Sequence, residues 1–147
     1  MDWNRLTPSA FSAVTAAKQE AGRLGQKAVA GEHLLLAMLG KEAAVAVKVL
    51  DGMGLSRESV ISAVRSQAPS AEPATEAATR LSPDGRQVLE LAGEEATKLS
   101  DAYIGTEHLL LGILDSSESV AGKVLAGLGA DAQKARSVIQ QLINGSA

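Results

Sequence analysis

Gly105-Thr106-Glu107-His108-Leu109-Leu110-Leu111 has an earlier counterpart in Ala30-Gly31-Glu32-His33-Leu34-Leu35-Leu36, 75 residues before it. The two histidines of the chain occupy the same place in the two stretches. Outward from them, residues 6–67 align with 81–142 at that constant offset, without a gap, and 20 of the 62 pairs are identical. The identities fall at turns and apolar positions such as Pro8/Pro83, Leu24/Leu99, Leu39/Leu114, Leu50/Leu125 and Gly54/Gly129. Those are the positions a duplicated helical unit has to keep. The reading is a first repeat over 6–67, a linker over 68–80 and a second repeat over 81–143.

Each repeat reads as four helices. Thr7-Pro8 supplies an N-cap and a first-turn proline, and Ala10, Val14, Ala17, Ala21 and Leu24 recur at helical spacing up to Gly25. A short helix follows from Gly31 or Glu32 to Leu39. A third runs from about Glu42 to Met53 with Val45, Val49 and Leu50 inward, stopped by Gly54 in the left-handed region. Ser56 caps the fourth. The second repeat restates the order, with Ser82-Pro83 opening it, Thr106 as cap of the short helix, Ser116 or Ser117 as cap of the next, and Asp131 as cap of the last. Ala68 to Thr79, with two prolines, small residues and no large apolar side chain, reads as the linker, with a weak helical turn near Glu76. One repeat is too small for a good core, so the two are expected to pack about a pseudo-two-fold axis as one all-α domain of eight helices, monomeric because each covers the other's apolar face.

Composition narrows the function. Of 147 residues 46% are hydrophobic, but the aromatics are only Trp3, Phe11 and Tyr103, so the core is built from aliphatic side chains. A net charge of −3 gives no basic face for nucleic acid. There is no cysteine, no apolar run that would span a membrane and no basic-then-apolar leader, which together point to a cytoplasmic protein. The pairs Gly40-Lys41 and Gly122-Lys123 have Leu35 and Ser117 where a phosphate-binding loop needs glycine, which argues against nucleotide hydrolysis.

Glu32-His33 and Glu107-His108 are adjacent in sequence, so on a helix their side chains diverge by about 100°, unlike the three- or four-residue spacing of a helical metal pair. No metal, cofactor or catalytic constellation is therefore expected. Each histidine is read as packing at a helix start with a hydrogen bond to a backbone carbonyl. Glu32 and Glu107 lie in first turns, where the helix dipole favours carboxylates, and each is also a candidate ligand for a cation. Thr7 and Ser82 head helices whose N-termini suit an anion, with Arg5 and Arg80 two residues upstream. An anion-binding helix start beside a carboxylate suits a ligand carrying both charges.

Tyr103 to Leu114, Val120 to Gly129, Leu81-Ser82-Pro83 with Val88 to Ala92, and the first copy's Glu32 to Leu36 and Val45-Ala46 resemble the double Clp repeat, the N-terminal domain of the Clp AAA+ unfoldases, nearest to the ClpC and ClpA branches. That resemblance implies a binding module that receives adaptor proteins and substrates bound for unfolding, or a free-standing regulator that competes for them, with no ATPase or protease chemistry of its own. In the ClpC branch it also implies phosphoarginine recognition. Carried over, the guanidinium would meet Glu32 and Glu107, and the phosphate the helix starts at Thr7 and Ser82. Ser82 stands for the family's threonine, and Leu6 and Leu81 for its aromatic residue. The second copy keeps the fuller pattern, so a single working site is expected around Glu107 and Ser82.

Overall fold

The computed structural model describes residues 3–40, 44–73, 76–116 and 119–145. They form eight α-helices: α1 (Pro8–Arg23), α2 (Gly31–Leu39), α3 (Val45–Gly52), α4 (Arg57–Gln67), α5 (Pro83–Lys98), α6 (Thr106–Asp115), α7 (Val120–Gly127) and α8 (Ala132–Gly145). A 3-10 turn over Trp3–Arg5 precedes them, and two strands of two residues each, β1 (Ala28–Val29) and β2 (Arg80–Leu81), lie before α2 and α5. Among the described residues, no helix is long and apolar enough to cross a membrane.

The helix ends follow local chemistry. Thr7 Oγ1 accepts from the Ala10 amide at 3.1 Å, and Ser82 Oγ from the Gly85 amide at 2.9 Å. Ser56 and Asp131 cap α4 and α8 in the same way. Gly25 and Gly54 adopt positive φ, as does Ser100, which takes the place of Gly25 in the second copy. Two caps differ from the sequence reading. Ser119, not Ser116, caps α7, because its hydroxyl reaches the Gly122 amide at 2.9 Å while the Ser116 carbonyl accepts from Ser119; Ser117 lies outside the described residues. Thr106 is the first residue of α6 and Gly105 is its N-cap, and the Thr106 hydroxyl instead accepts from the Ala46 amide of the other copy. The third helix begins at Val45, which is on its outer face rather than inward, and Glu42 lies outside the described residues.

The core runs through both copies without a seam. All nine residues of α2 are buried, as are Leu109, Leu110 and Leu111 on α6, and helices apolar all round belong at the centre of a domain. The copies interdigitate. Helix α2 packs on α5, α6 and α7, helix α6 on α1, α2 and α3, and the pairs α4–α7 and α3–α8 close the periphery. The connecting segment lies along α1. The Ala71 amide donates to the Leu24 carbonyl at 2.8 Å and the Ala78 amide to the Lys18 carbonyl at 3.0 Å. Glu76 sits in a bend rather than a helical turn, and its carbonyl passes so close to Gly22 that a Cβ there would overlap it.

Candidate ligand-binding site

Two backbone crossings decide which candidate residues meet. Leu6 pairs in parallel with Ile104: the Ile104 amide donates to the Arg5 carbonyl at 2.7 Å, and the Thr7 amide to the Ile104 carbonyl at 2.9 Å. In the symmetric position Val29 pairs with Leu81, and the Ser82 amide donates to the Val29 carbonyl at 2.8 Å. The residue before the first helix of one copy is thus tied to the residue before the second helix of the other. The start of α1 lies beside the start of α6, and the start of α5 beside that of α2. Thr7 and Arg5 therefore belong with Glu107, and Ser82 and Arg80 with Glu32. The expected grouping of Glu107 with Ser82 is not formed, because pairing across the pseudo-two-fold exchanges the partners.

At the Thr7 end, two helix N-termini converge and leave partial positive charge between them. Glu107 is half-buried. Its carboxylate folds back over Gly105, where an added Cβ would overlap Oε1. His108 fixes the loop below. Its Nδ1 accepts from the Gly105 amide at 2.9 Å, so in the neutral ring Nε2 carries the proton and donates it to Asp101 Oδ2 at 2.9 Å. The histidine thus accepts from a backbone amide, where the sequence reading had it donating to a carbonyl. Arg5 also serves the loop: Nε donates to the Ala102 carbonyl at 3.2 Å and Nη2 to the Asp101 carbonyl at 3.4 Å.

The Ser82 end has the same plan with different contents. Asp84, in the first turn of α5, accepts from the Gly31 amide at the start of α2 at 2.6 Å. Glu32 is buried, with its carboxyl held above the usual carboxylate range by burial and by the neighbouring Asp84 charge, against a hydrogen bond from its own backbone. Arg80 is exposed on β2. His33 accepts from the Ala30 amide at 2.9 Å as His108 does from Gly105. The counterpart of Asp101 here is Gln26, whose amide goes to the Leu24 and Pro69 carbonyls, and His33 Nε2 is buried without a hydrogen-bond partner among the described residues. Burial holds the His33 ring below the usual imidazole range, against the pull of Glu20 and Asp84.

Three features of this surface were not singled out from the sequence. Asp84 reads as an ordinary first-turn acid, and only the fold brings it to α2. Gly105 matters as the space Glu107 folds into; its counterpart Ala30 was visible in the alignment. The three aromatic residues, expected only to be scarce, are all exposed around Thr7: Trp3 is 43%, Phe11 56% and Tyr103 63% accessible.

The model of the Clp repeat (R) N-terminal domain matches residues 5–128. The chain is 35% identical over 143 residues to the negative regulator of genetic competence ClpC/MecB of Bacillus subtilis, a match covering 97% of this chain and 18% of that protein. The chain therefore spans less than a fifth of that relative's length. Among solved structures, the N-terminal domain of the chaperone ClpD from Arabidopsis thaliana superposes with a TM-score of 0.71 at 27% identity, over 97% of each chain. The ClpV N-domain, solved in complex with a VipB peptide, shares the fold with a TM-score of 0.67 at 23% identity over 84% of this chain and 79% of that one.

Proposed function

The chain belongs to the Clp repeat N-terminal domain family, and on that premise we propose that it docks adaptor and substrate proteins for a Clp-type unfoldase in the cytoplasm and reads phosphorylated arginine at its Thr7 end. The observation that carries this reading is the convergence of the α1 and α6 N-termini beside the Glu107 carboxylate, brought about by the Leu6–Ile104 pairing. A phosphoarginine side chain has an anionic phosphate for the helix starts and a planar donor edge for a carboxylate. The Ser82 end offers the same helix starts, but Asp84 already accepts from the α2 amide and Glu32 adds a second carboxyl beside it. Phosphate there meets repulsion. The ClpV N-domain was solved with a peptide bound, which supports a docking role for this fold.

Calorimetric titration of the 147-residue chain with free phosphoarginine tests the proposal. Saturable binding is expected, weakened at least about tenfold by Glu107→Ala, since a hydrogen bond to a charged group is lost, and less by Glu32→Ala. Absence of heat with the unmodified chain would overturn phosphoarginine recognition. Protein docking is then decided separately, by co-purification with a ClpC-type adaptor.

A further inference from the structure

The offset of 75 that relates the two copies also relates two helix pairs at the periphery. Helix α8 lies on α3 as α4 lies on α7. In the first pair the contact is filled. Val138 of α8 reaches Gly52 of α3 so closely that a Cβ added to the glycine would lie 2.5 Å from Val138 Cγ1. The residues at the same places in the second pair are Ala63 and Gly127. A methyl group stands where Val138 stands, and a Cβ added to Gly127 would meet nothing within 4 Å. The glycine that one interface requires faces open space in the other.

That space is part of a cleft of about 580 Å³ between α4 and α7. On α7 it is lined by Val120, Lys123, Val124 and Gly127, whose spacing puts one stripe of the helix along the cleft for about two turns. Ala63 lines it from α4, and Leu128, 36% accessible, adds exposed aliphatic surface. Lys123 is the one ionised side chain among the lining residues, and its ammonium has no ion-pair partner among the described residues. The molecule itself shows what fits such a cleft, since the α3–α8 twin takes a branched aliphatic side chain presented by a helix. Lys123, one turn before Gly127, adds a demand for a carboxylate at about that spacing, because opposite charge across an interface fixes register and partner.

We propose that the α4–α7 cleft docks an amphipathic helix of a partner protein, which places a leucine or valine between Ala63 and Gly127 and a carboxylate, one turn away, on Lys123. None of the lining residues belongs to the Thr7 end or the Ser82 end. The inference rests on the protein-docking role assigned above and is independent of the phosphate mark.

The isotope-labelled 147-residue chain is titrated with an end-blocked alanine–glutamine peptide of about 15 residues, long enough to form an isolated helix, that carries one leucine with a glutamate four residues to either side. Saturable shifts of the Ser66, Gly127 and Leu128 amide resonances are expected. Replacing the leucine by alanine should weaken binding at least about tenfold, the scale of withdrawing buried carbons. Replacing both glutamates by lysine should weaken it about fivefold. Lys123→Glu should reverse that charge preference, whereas Lys48→Glu beside the filled twin should not. Ala63→Val supplies the side chain that the twin already has, and with the fold checked by circular dichroism it should lower affinity at least about tenfold by occupying the gap. Full binding by Ala63→Val overturns the proposal, with Gly127→Ala deciding if that variant does not fold. Absence of saturable shifts at these amides, or a charge preference untouched by Lys123→Glu, overturns it as well. Shifts at the same amides that grow with protein concentration in the absence of peptide would give the cleft to a second copy, which also overturns it. Co-purification of an adaptor alongside such a failure keeps the docking role and places it elsewhere on the surface, and the phosphoarginine titration stands or falls separately.

Discussion

The Thr7 end and the Ser82 end are built by the same four moves: an N-cap hydroxyl, a proline, a parallel backbone pairing with the other copy, and a Glu-His at the start of the second helix. They nevertheless differ in where the glutamate goes. At the Thr7 end Gly105 leaves open the space that the Glu107 carboxylate occupies above the α6 cap. At the Ser82 end that space is taken by the methyl of Ala30, and Glu32 is buried instead, with Asp84 bonded to the α2 start. One methyl group and one carboxylate separate a partly exposed carboxyl side chain from an internal one. Duplication preserves the scaffold through cap, proline and leucine positions. The chemistry at each pole is set by residues the alignment treats as ordinary differences.

The same contrast recurs in the packing and predicts the largest effect. Gly112 of α6 faces α5 so closely that a Cβ would overlap the Val88 carbonyl and come within 3.0 Å of the Ala92 nitrogen. Its counterpart on α2 is Ala37, which carries that methyl group. The second copy is therefore the tighter of the two helix pairs. Gly112→Ala is expected to destabilise the domain by about 3 kcal/mol, because backbone rather than a side-chain tip has to move. Ala37→Gly should cost only about 1 kcal/mol, mostly from helix propensity. Urea unfolding followed at 222 nm measures both, and equal losses would mean that the two interfaces are alike.

Next in size are the buried glutamates. Glu95 of α5 is 1% exposed and receives two hydrogen bonds from Arg136 of α8, a side chain two-thirds buried. Glu20 of α1 holds the equivalent place but is met by Arg23 and Arg65, at 3.0 and 3.1 Å, whose side chains are 73% and 53% exposed. Arg136→Ala removes both hydrogen bonds and leaves the buried Glu95 carboxylate only the long contact to the exposed Lys98, at 4.0 Å, and should cost about 2–3 kcal/mol. Arg65→Ala removes a solvated partner while Arg23 remains, and should cost under about 1 kcal/mol. If the two variants unfold at the same urea concentration, burial is not what separates these pairs.

How much of this was legible in the sequence follows from the range of the interactions involved. The repeat, the helix order, the caps at Thr7, Ser82, Ser56 and Asp131 and the central leucines depend on local spacing, and the sequence displays local spacing directly. The crossed pairing of Leu6 with Ile104 and Val29 with Leu81 does not, since strands of two residues have no periodicity to detect and an offset of 75 says which residues match, not which meet. That is why Glu107 was grouped with Ser82 rather than with Thr7. The α7 cap was misplaced because Ser116, Ser117 and Ser119 are close neighbours of equal capping propensity, and the choice falls to a hydroxyl reaching the Gly122 amide. Asp84 and Arg136 act across copies or across the bundle, and a first-turn acid or a helix arginine carries no mark of that.

A smaller effect separates the repeats by pH. Asp115, beside Glu95 and Arg136, has its carboxyl raised to about 6 by burial and by the hydrogen bond and charge of Glu95, whereas Glu95 is lowered to about 2, chiefly by its hydrogen bonds from Arg136. The signs are opposite. Glu95 contributes stability above its ordinary range that is lost as pH falls through about 2. Asp115 binds its proton more tightly in the fold, so its contribution is present at low pH and lost as pH rises from the ordinary aspartate value of 3.8 through about 6. The first copy has Gly40 at this position and no such titration. Asp115→Asn keeps a donor for Glu95 without a titrating proton, and should gain about 1 kcal/mol over the unmodified chain near pH 7 while matching it near pH 4. Urea unfolding at the two pH values gives the answer, and a difference independent of pH would exclude the Asp115 proton as its source.

The smallest effect on stability tests the contrast between the poles most directly. Gly105 has a φ of −99°, an extended value open to any residue, so Gly105→Ala brings no backbone strain. The atoms nearest to its methyl are those of the Glu107 carboxylate, the end of a flexible side chain that can swing away. The variant should therefore unfold within about 0.5 kcal/mol of the unmodified chain. The Glu107 carboxylate, however, must leave the α6 cap, and the Thr7 end then matches the Ser82 end at the position of Ala30. On the proposed reading, phosphoarginine affinity should fall by roughly the same factor as in Glu107→Ala, because a carboxylate displaced by one methyl group no longer lies beside the helix starts proposed for the phosphate. If Gly105→Ala binds as tightly as the unmodified chain, the place of Glu107 over the cap is incidental, and the difference between the poles must come from Asp84 alone; Asp84→Ser should then open the second pole and double the calorimetric stoichiometry.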